Sequence, residues 1–317
     1  ILADLGIVWL VFAIIKDILK NEEKAIFGAS LILFNPVLIY NSAVWGQTDS
    51  LINLLALLGL WLSWKKKFFL GLLAFIGSLY FKLSLIIWLP VLGLILWQNR
   101  KQWQKIIING LMALSVYITL TIPFVHHGNI FSWIWYLYTN RILPRQGDML
   151  SGNAFNLWTL LYGVNLGLKE SMPFLGTTAK IFGRVLTILS GLILTIFTVT
   201  KKESNSRFSV YLKYSLLLAF SVFLFMTNMH ERYLYPIFAP LAVLTALNKV
   251  KPIYFYVLSG IHLVNLYNLW YYPKISFLKN ILSQSQNVIP RILSVLLIII
   301  FVKLVIKFYS RNNANRL

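Results

Sequence analysis

Cysteine is absent from the chain, which excludes a disulfide framework, a thiol nucleophile and any cysteine metal site. Charge is scarce as well: Asp, Glu, Lys and Arg make up 12% of the residues, about half the share usual in a soluble domain, while 58% are hydrophobic. Strict alternation of apolar and polar residues is also missing. Stretches such as "VLSGIHLVNLYNLWYY" and "ILSVLLIIIFVKLVI" are apolar on nearly every face, which excludes an outer-membrane barrel. No internal repeat and no low-complexity tract interrupts the pattern.

What remains is a series of apolar runs, most of them long enough to cross a hydrocarbon core about 30 Å thick as a helix. The expected fold is therefore all-α: a polytopic integral membrane protein arranged as one multi-span domain over residues 1–317. Spans fall at roughly 1–16, 25–40, 51–64, 68–81, 83–98, 106–124, 178–199, 209–227, 234–247, 253–271 and 291–309, about eleven crossings. The chain opens on Ile1 and enters a span almost at once, so a preceding first span and loop are expected to be missing.

The net charge of +20 would suggest nucleic acid in a soluble protein. Here the cations cluster between spans, and every second loop is short and basic: Lys16, Lys20 and Lys24; Lys65, Lys66 and Lys67; Arg100, Lys101 and Lys105; Lys201, Lys202 and Arg207; Lys249 and Lys251; Arg311 and Arg316. The positive-inside rule makes those loops cytoplasmic and assigns a multi-pass cell-membrane location, with membrane lipids and not nucleic acid as partners.

The other connections then face outward, and they hold most of the unusual polar residues: Asn41, Gln47, Asp49, Lys82, His126, His127, Arg141, Arg145, Asp148, Asn153, Asn156, His230, Glu231 and Arg232. Segment 125–177 mixes Trp and Tyr with Arg and Asn, the composition of an external interfacial or re-entrant element. A polar constellation on one membrane face suggests a site that opens outward.

Three outward stretches, "NPVLIYNSAVWGQTDS" at 35–50, "GNAFNLW" at 152–158 and "MHERYLYP" at 229–236, together resemble the bacterial mannosyltransferase-like branch of the GT-C glycosyltransferases, related to the second mannosyltransferase of GPI-anchor assembly. The resemblance implies an inverting hexosyltransferase that takes a sugar, mannose in that family, from a polyprenyl-phosphate donor. The acceptor is a hydroxyl of a lipid-linked or cell-envelope glycan. It places the catalytic Asp in an external loop that would precede Ile1, leaving Asp49 and Glu231 as the weaker candidates within the chain, with Asp4 a poorer one still. It requires no cofactor. Metal dependence occurs in parts of that superfamily, but the adjacent His126 and His127 lack a third ligand at zinc spacing.

Each remaining residue has two readings. Arg232 can offer a fork to phosphate oxygens with His230 adding a hydrogen bond, or it can pair with Glu231 at a helix end and snorkel to headgroups. Lys82 can bind the donor phosphate or simply snorkel. Trp45 and Gln47 can stack on and hydrogen-bond a sugar around a turn at Gly46. Asp49 can bind acceptor or cap the helix that follows, and Asn41 can satisfy a helix end. Asn153 and Asn156, three apart, can read sugar hydroxyls from one helical face or satisfy the backbone of a re-entrant element. Trp158 reads as an interfacial anchor. A transporter or lipid-linked-saccharide flippase is the main competing function, and a non-catalytic assembly subunit a second; the lack of repeats and of charge at mid-span weighs against transport.

Overall fold

The computed structural model describes residues 1–126, 128–142, 147–200 and 208–310. His127, Arg145, Lys201, Lys202, Arg207, Arg311 and Arg316 lie outside the described residues. The elements are α1 (Leu2–Leu19), α2 (Glu22–Leu33), α3 (Pro36–Ile39), α4 (Asp49–Trp64), α5 (Phe68–Phe81), α6 (Leu89–Gln98), α7 (Trp103–Thr121), α8 (Ile130–Tyr136), α9 (Leu157–Tyr162), α10 (Ala179–Thr200), α11 (Phe208–Phe225), α12 (Phe238–Ala246), α13 (Pro252–Tyr267), α14 (Ser276–Gln284) and α15 (Val288–Tyr309). Among the described residues the only strands are β1 (Pro173–Phe174) and β2 (Thr177–Thr178), paired antiparallel. The fold is all-α.

Among the described residues four helices are long and apolar enough to cross a membrane: 100–124, which contains α7, then α10, α11 and α15. A fifth candidate is α2 joined to 36–44 through a 43° bend. That bend has a sequence cause. Asn35 is extended ahead of Pro36 and accepts a hydrogen bond from the Val37 amide at 3.0 Å, so one helix stops and another starts. Helix lengths thus carry fewer crossings than the eleven expected. The run at 234–247 shows why: a 3-10 segment (Glu231–Ile237) containing Pro236 occupies its first turns, leaving α12 only nine residues.

The chain packs as two compact units, residues 1–54 with 149–317, and residues 55–148. In the first, α11 is the core. Its apolar residues run round every side, with Lys213 buried among them over the Phe308 ring, and it is buried from Phe208 to Leu224, packed against α10, α12 and α15. Helix α10 is apolar too, yet Ile188, Leu192 and Ile196 on it are exposed, as expected of a face that meets lipid. In the second unit α5 packs on α7, and the Tyr117 hydroxyl donates to the Leu73 carbonyl at 2.9 Å. There α7 exposes Ile107, Leu111 and Leu114.

The segment 125–177 is divided between the units. Its first part carries α8, with Phe131 and Trp135 exposed, as an interfacial helix would be. In its second part residues 150–159 are interior. Trp158 is fully buried, donates from Nε1 to the Phe225 carbonyl at 3.0 Å and packs against Phe174 and Phe182. The interfacial-anchor assignment for Trp158 is therefore corrected: its ring fills the core and its N–H caps the end of α11.

Candidate functional site

The site grows from two breaks in helical structure in the first unit. After α3 the backbone widens into a π-helical turn over Tyr40–Val44, closed by Trp45 N–H to the Tyr40 carbonyl at 2.9 Å. Gly46 then takes φ 68°, and the Gln47 amide returns to the Asn41 carbonyl at 3.0 Å, so the chain reverses into α4. This loop presents Asn41, Ser42, Trp45, Asp49 and Ser50 within a few residues.

The second break follows α11. Asn228, at φ 56°, donates its amide to the Leu150 carbonyl at 3.1 Å, and the Gly152 amide donates to the Met229 carbonyl at 2.8 Å. Gly152 is needed here, because a Cβ would come within 2.7 Å of the His230 ring. His230 then starts the 3-10 segment that delivers Glu231, Arg232, Tyr233 and Tyr235.

The two breaks meet. The Arg232 guanidinium sits over the Trp45 ring at 5.8 Å and the Tyr233 ring at 5.5 Å, and its Nη1 donates to Glu231 Oε1 at 3.3 Å. Glu231 is almost wholly buried. Burial pushes its carboxyl up to about 7; a backbone hydrogen bond and Arg232 pull it partway back, and the like charge of Asp49 adds to the rise. Asn41 donates from Nδ2 to Asp49 Oδ2 at 3.4 Å. Among the described residues two buried polar atoms of this cluster have no hydrogen-bond partner, Arg232 Nε and Asn41 Oδ1. The cluster therefore holds two carboxylates, one guanidinium, and an unused donor and acceptor.

Beside it Asp4 accepts from Ser42 at 2.8 Å and from Ser50, while Ser42 and Ser50 share a hydrogen bond at 2.7 Å and Ser50 shares another with the Tyr235 hydroxyl at 2.7 Å. Asp4 thus belongs to the neighbourhood, as the acceptor of a hydroxyl network. Trp270, just past the end of α13, meets Trp45 edge to face at 5.1 Å and extends the aromatic wall outward. Tyr40 ties the π turn to the same segment, donating to the Tyr272 carbonyl at 2.5 Å.

Of the residues singled out from sequence, the structure gathers Trp45, Asp49, Glu231 and Arg232, with Gln47 half-buried in the same loop. His230 meets Tyr233 edge to face at 5.4 Å and pairs as a backbone bridge with Gly152 and Asn153. Asn153 and Asn156 are not on one helical turn. Asn153, at φ 67°, lies in that bridge and exchanges side-chain hydrogen bonds with the Asn268 carbonyl at 2.8 Å and the Asn268 amide at 2.7 Å. Asn156 caps α9, accepting from the Trp158 and Thr159 amides at 3.1 and 3.2 Å and donating to the Phe223 carbonyl. Both side chains are engaged by the scaffold, Asn153 beside His230 and Asn156 at the start of α9. Lys82 belongs to the second unit, half-buried at the C-terminal end of α5. His126, Arg141 and Asp148 are also in the second unit, where His126 lies edge-on to Trp133 at 5.2 Å and Arg141 sits over Tyr136 at 6.0 Å.

Sequence reasoning missed Ser42, Ser50, Tyr233, Tyr235 and Trp270. Tyr233 and Tyr235 stand inside "MHERYLYP" and could have been taken with it. Trp270 carried no signal beyond an aromatic at the end of an apolar run. No protein-family model matches the chain, and no curated protein matches it.

Proposed function

We propose that the protein is an integral membrane glycosyltransferase that moves a hexose, mannose by the resemblance of its motifs, from a polyprenyl-phosphate carrier to an acceptor hydroxyl at the outer membrane surface. The observation that carries the reading is the Glu231–Arg232 pair, set against Trp45 with an unused buried donor and acceptor beside it.

The reaction asks for a carboxylate that accepts the proton of the acceptor hydroxyl as its oxygen attacks the anomeric carbon. Glu231, with Asp49 adjacent, supplies that group from within the chain. The bond from anomeric carbon to carrier phosphate breaks with inversion, and the departing polyprenyl phosphate takes up negative charge. Arg232 offers that charge a guanidinium fork, held flat by Trp45 and Tyr233. Trp45 and Gln47 face the sugar, and His230 adds a donor to the phosphate. These groups all come from the first unit.

The topology that goes with this reading has eleven crossings, its shorter helices continued by bent or 3-10 turns, with the basic loops inside. It predicts that a cysteine replacing Ala43 reacts with an impermeant thiol reagent in whole cells and one replacing Lys249 does not; the reverse pattern would overturn the sidedness. The function is tested with membranes holding the full-length protein and radiolabelled polyprenyl-phosphate-mannose. Transfer by the parent and none by Arg232→Ala supports the enzyme and the clamp. No transfer by the parent from this donor or its glucosyl counterpart would replace the enzyme with a lipid-linked-saccharide transporter.

A further inference from the structure

The segment between α13 and α15 holds a helix that the apolar runs do not announce. Helix α14 has nine residues, too few to cross a bilayer, since it extends only about 14 Å at 1.5 Å per residue. On its helical wheel Phe277, Leu278, Ile281 and Leu282 fill an arc of about 140°, while Ser276, Lys279, Asn280, Ser283 and Gln284 fill the other side. The apolar arc is not packed away: Phe277 is 71% exposed, and Leu278 and Ile281 are each 40% exposed.

The place of α14 in the fold narrows what can cover that face. It ends three residues before α15, a helix of 22 residues long and apolar enough to cross a membrane. The connection between them breaks the helical path, with Gln286 at φ 46° and Asn287 at φ 70°. It is also fixed, because the Asn287 side chain accepts from the Val164 amide at 2.9 Å just beyond α9. A short amphipathic helix broken off from the end of a spanning helix is suited to lie along the bilayer surface. Exposed Trp270 and Tyr272 lead into it, aromatics of the kind that settle at headgroup depth. The charge is of one sign. Lys274, Lys279 and Arg291 belong to this stretch, and no Asp or Glu follows Glu231 anywhere in the sequence.

We infer that α14 is an interfacial helix whose apolar face enters the bilayer, and that Lys279 on it, with Lys274 just before it and Arg291 in the first turn of α15, binds anionic phospholipid headgroups. The inference does not depend on the proposed catalytic activity.

Because the chain has no cysteine, single labelling sites can be introduced cleanly. The full-length protein would carry an environment-sensitive fluorophore on Phe277→Cys, Ile281→Cys or Ser283→Cys and be reconstituted in vesicles of phosphatidylcholine with or without phosphatidylglycerol. Helical content of each variant is checked by circular dichroism. Labels at 277 and 281 should be blue-shifted and quenched by nitroxide-bearing lipid roughly threefold more than the label at 283. The difference should be larger with phosphatidylglycerol, and Lys274→Glu with Lys279→Glu should erase that gain. Equal quenching at all three positions would overturn the interfacial helix. Quenching that ignores phosphatidylglycerol would overturn the headgroup contact. A label at 277 that is dry, unquenched by lipid and wetted on diluting the protein in lipid would assign the face to a second copy of the chain.

Discussion

Two buried carboxylates of the first unit are built in opposite ways. Glu170, beneath the β1–β2 hairpin, has both oxygens engaged: Oε1 with Lys180 Nζ at 2.6 Å and Oε2 with the Thr227 hydroxyl, also at 2.6 Å. Glu170 thereby ties the base of α10 to Thr227, two residues past the end of α11. Glu231 is held by a longer bond of 3.3 Å from its neighbour Arg232 and by a backbone hydrogen bond, and the cluster around it retains an unused guanidinium N–H and an unused amide oxygen. Burial penalises a charge that is not fully paired, so an underpaired buried cluster calls for a reason, a completing ligand among them. Closed pairing fits Glu170 as scaffold, and the unused donor and acceptor beside Glu231 and Arg232 support the ligand role proposed for that cluster.

The largest effect that could break this contrast is at Arg232. Arg232→Ala should lower transfer by on the order of 10²-fold or more, the usual loss when a charge-stabilising donor is removed, while the thermal melt stays near the parent's. Arg232→Lys should recover only part, since a lysine keeps the charge but not the planar fork. Turnover unchanged in the alanine variant would place Arg232 with Glu170 among the scaffold residues.

Glu170→Ala should do the reverse. It removes a charged partner from Thr227 and Lys180, and because Lys180 is partly exposed the expected loss is about 2 kcal/mol of stability, read as a lower melting temperature. Turnover per folded molecule should not change; a loss of turnover at unchanged stability would contradict the closed-scaffold role. A smaller loss, about 1 kcal/mol, is expected for Asn156→Ala, since the side chain caps α9. If Asn156 contacted sugar instead, the substrate KM would rise while the melt held.

The sequence announces helicity well where one segment is apolar along its whole length. The expected spans 178–199, 209–227 and 291–309 differ from α10, α11 and α15 by at most three residues at any end. The sequence reading did not use a difference of pattern between two of these helices: the core α11 has apolar residues on every side, whereas α10 is one-sided, with Lys180, Arg184, Thr187, Thr195 and Thr198 on one face and the exposed Ile188, Leu192 and Ile196 on another. The motif residues that meet in the cluster, Trp45 with Arg232, were legible as chemistry but not as neighbours, since contacts across nearly 190 positions leave no local trace. Asn153 and Asn156 mislead for a related reason. An amide reads the same in sequence whether it addresses a ligand or a backbone, and here the Asn268 and Phe223 carbonyls and the Trp158 and Thr159 amides take them. Helix α14 is missed because nine residues with four apolar positions fall below any span pattern.

The smallest expected effect is on pH, and it sharpens the contrast most. Glu231 has its carboxyl raised from 4.5 to about 7 by burial, facing Arg232 on its own segment and Asp49 on α4. If Glu231 accepts the acceptor's proton, it must be ionised, so transfer should climb through pH 7, gaining about twofold between pH 7 and pH 8 and levelling off above. Stability should run the other way. Between pH 4.5 and about 7 the folded chain holds a proton that the unfolded chain has released, so raising pH through that window costs stability. Glu231→Gln removes the titration and should flatten both trends. A rate that falls through pH 7 would mean that the protonated carboxyl is the working form, donating a hydrogen bond to the leaving phosphate. The proton-accepting role would then pass to Asp49.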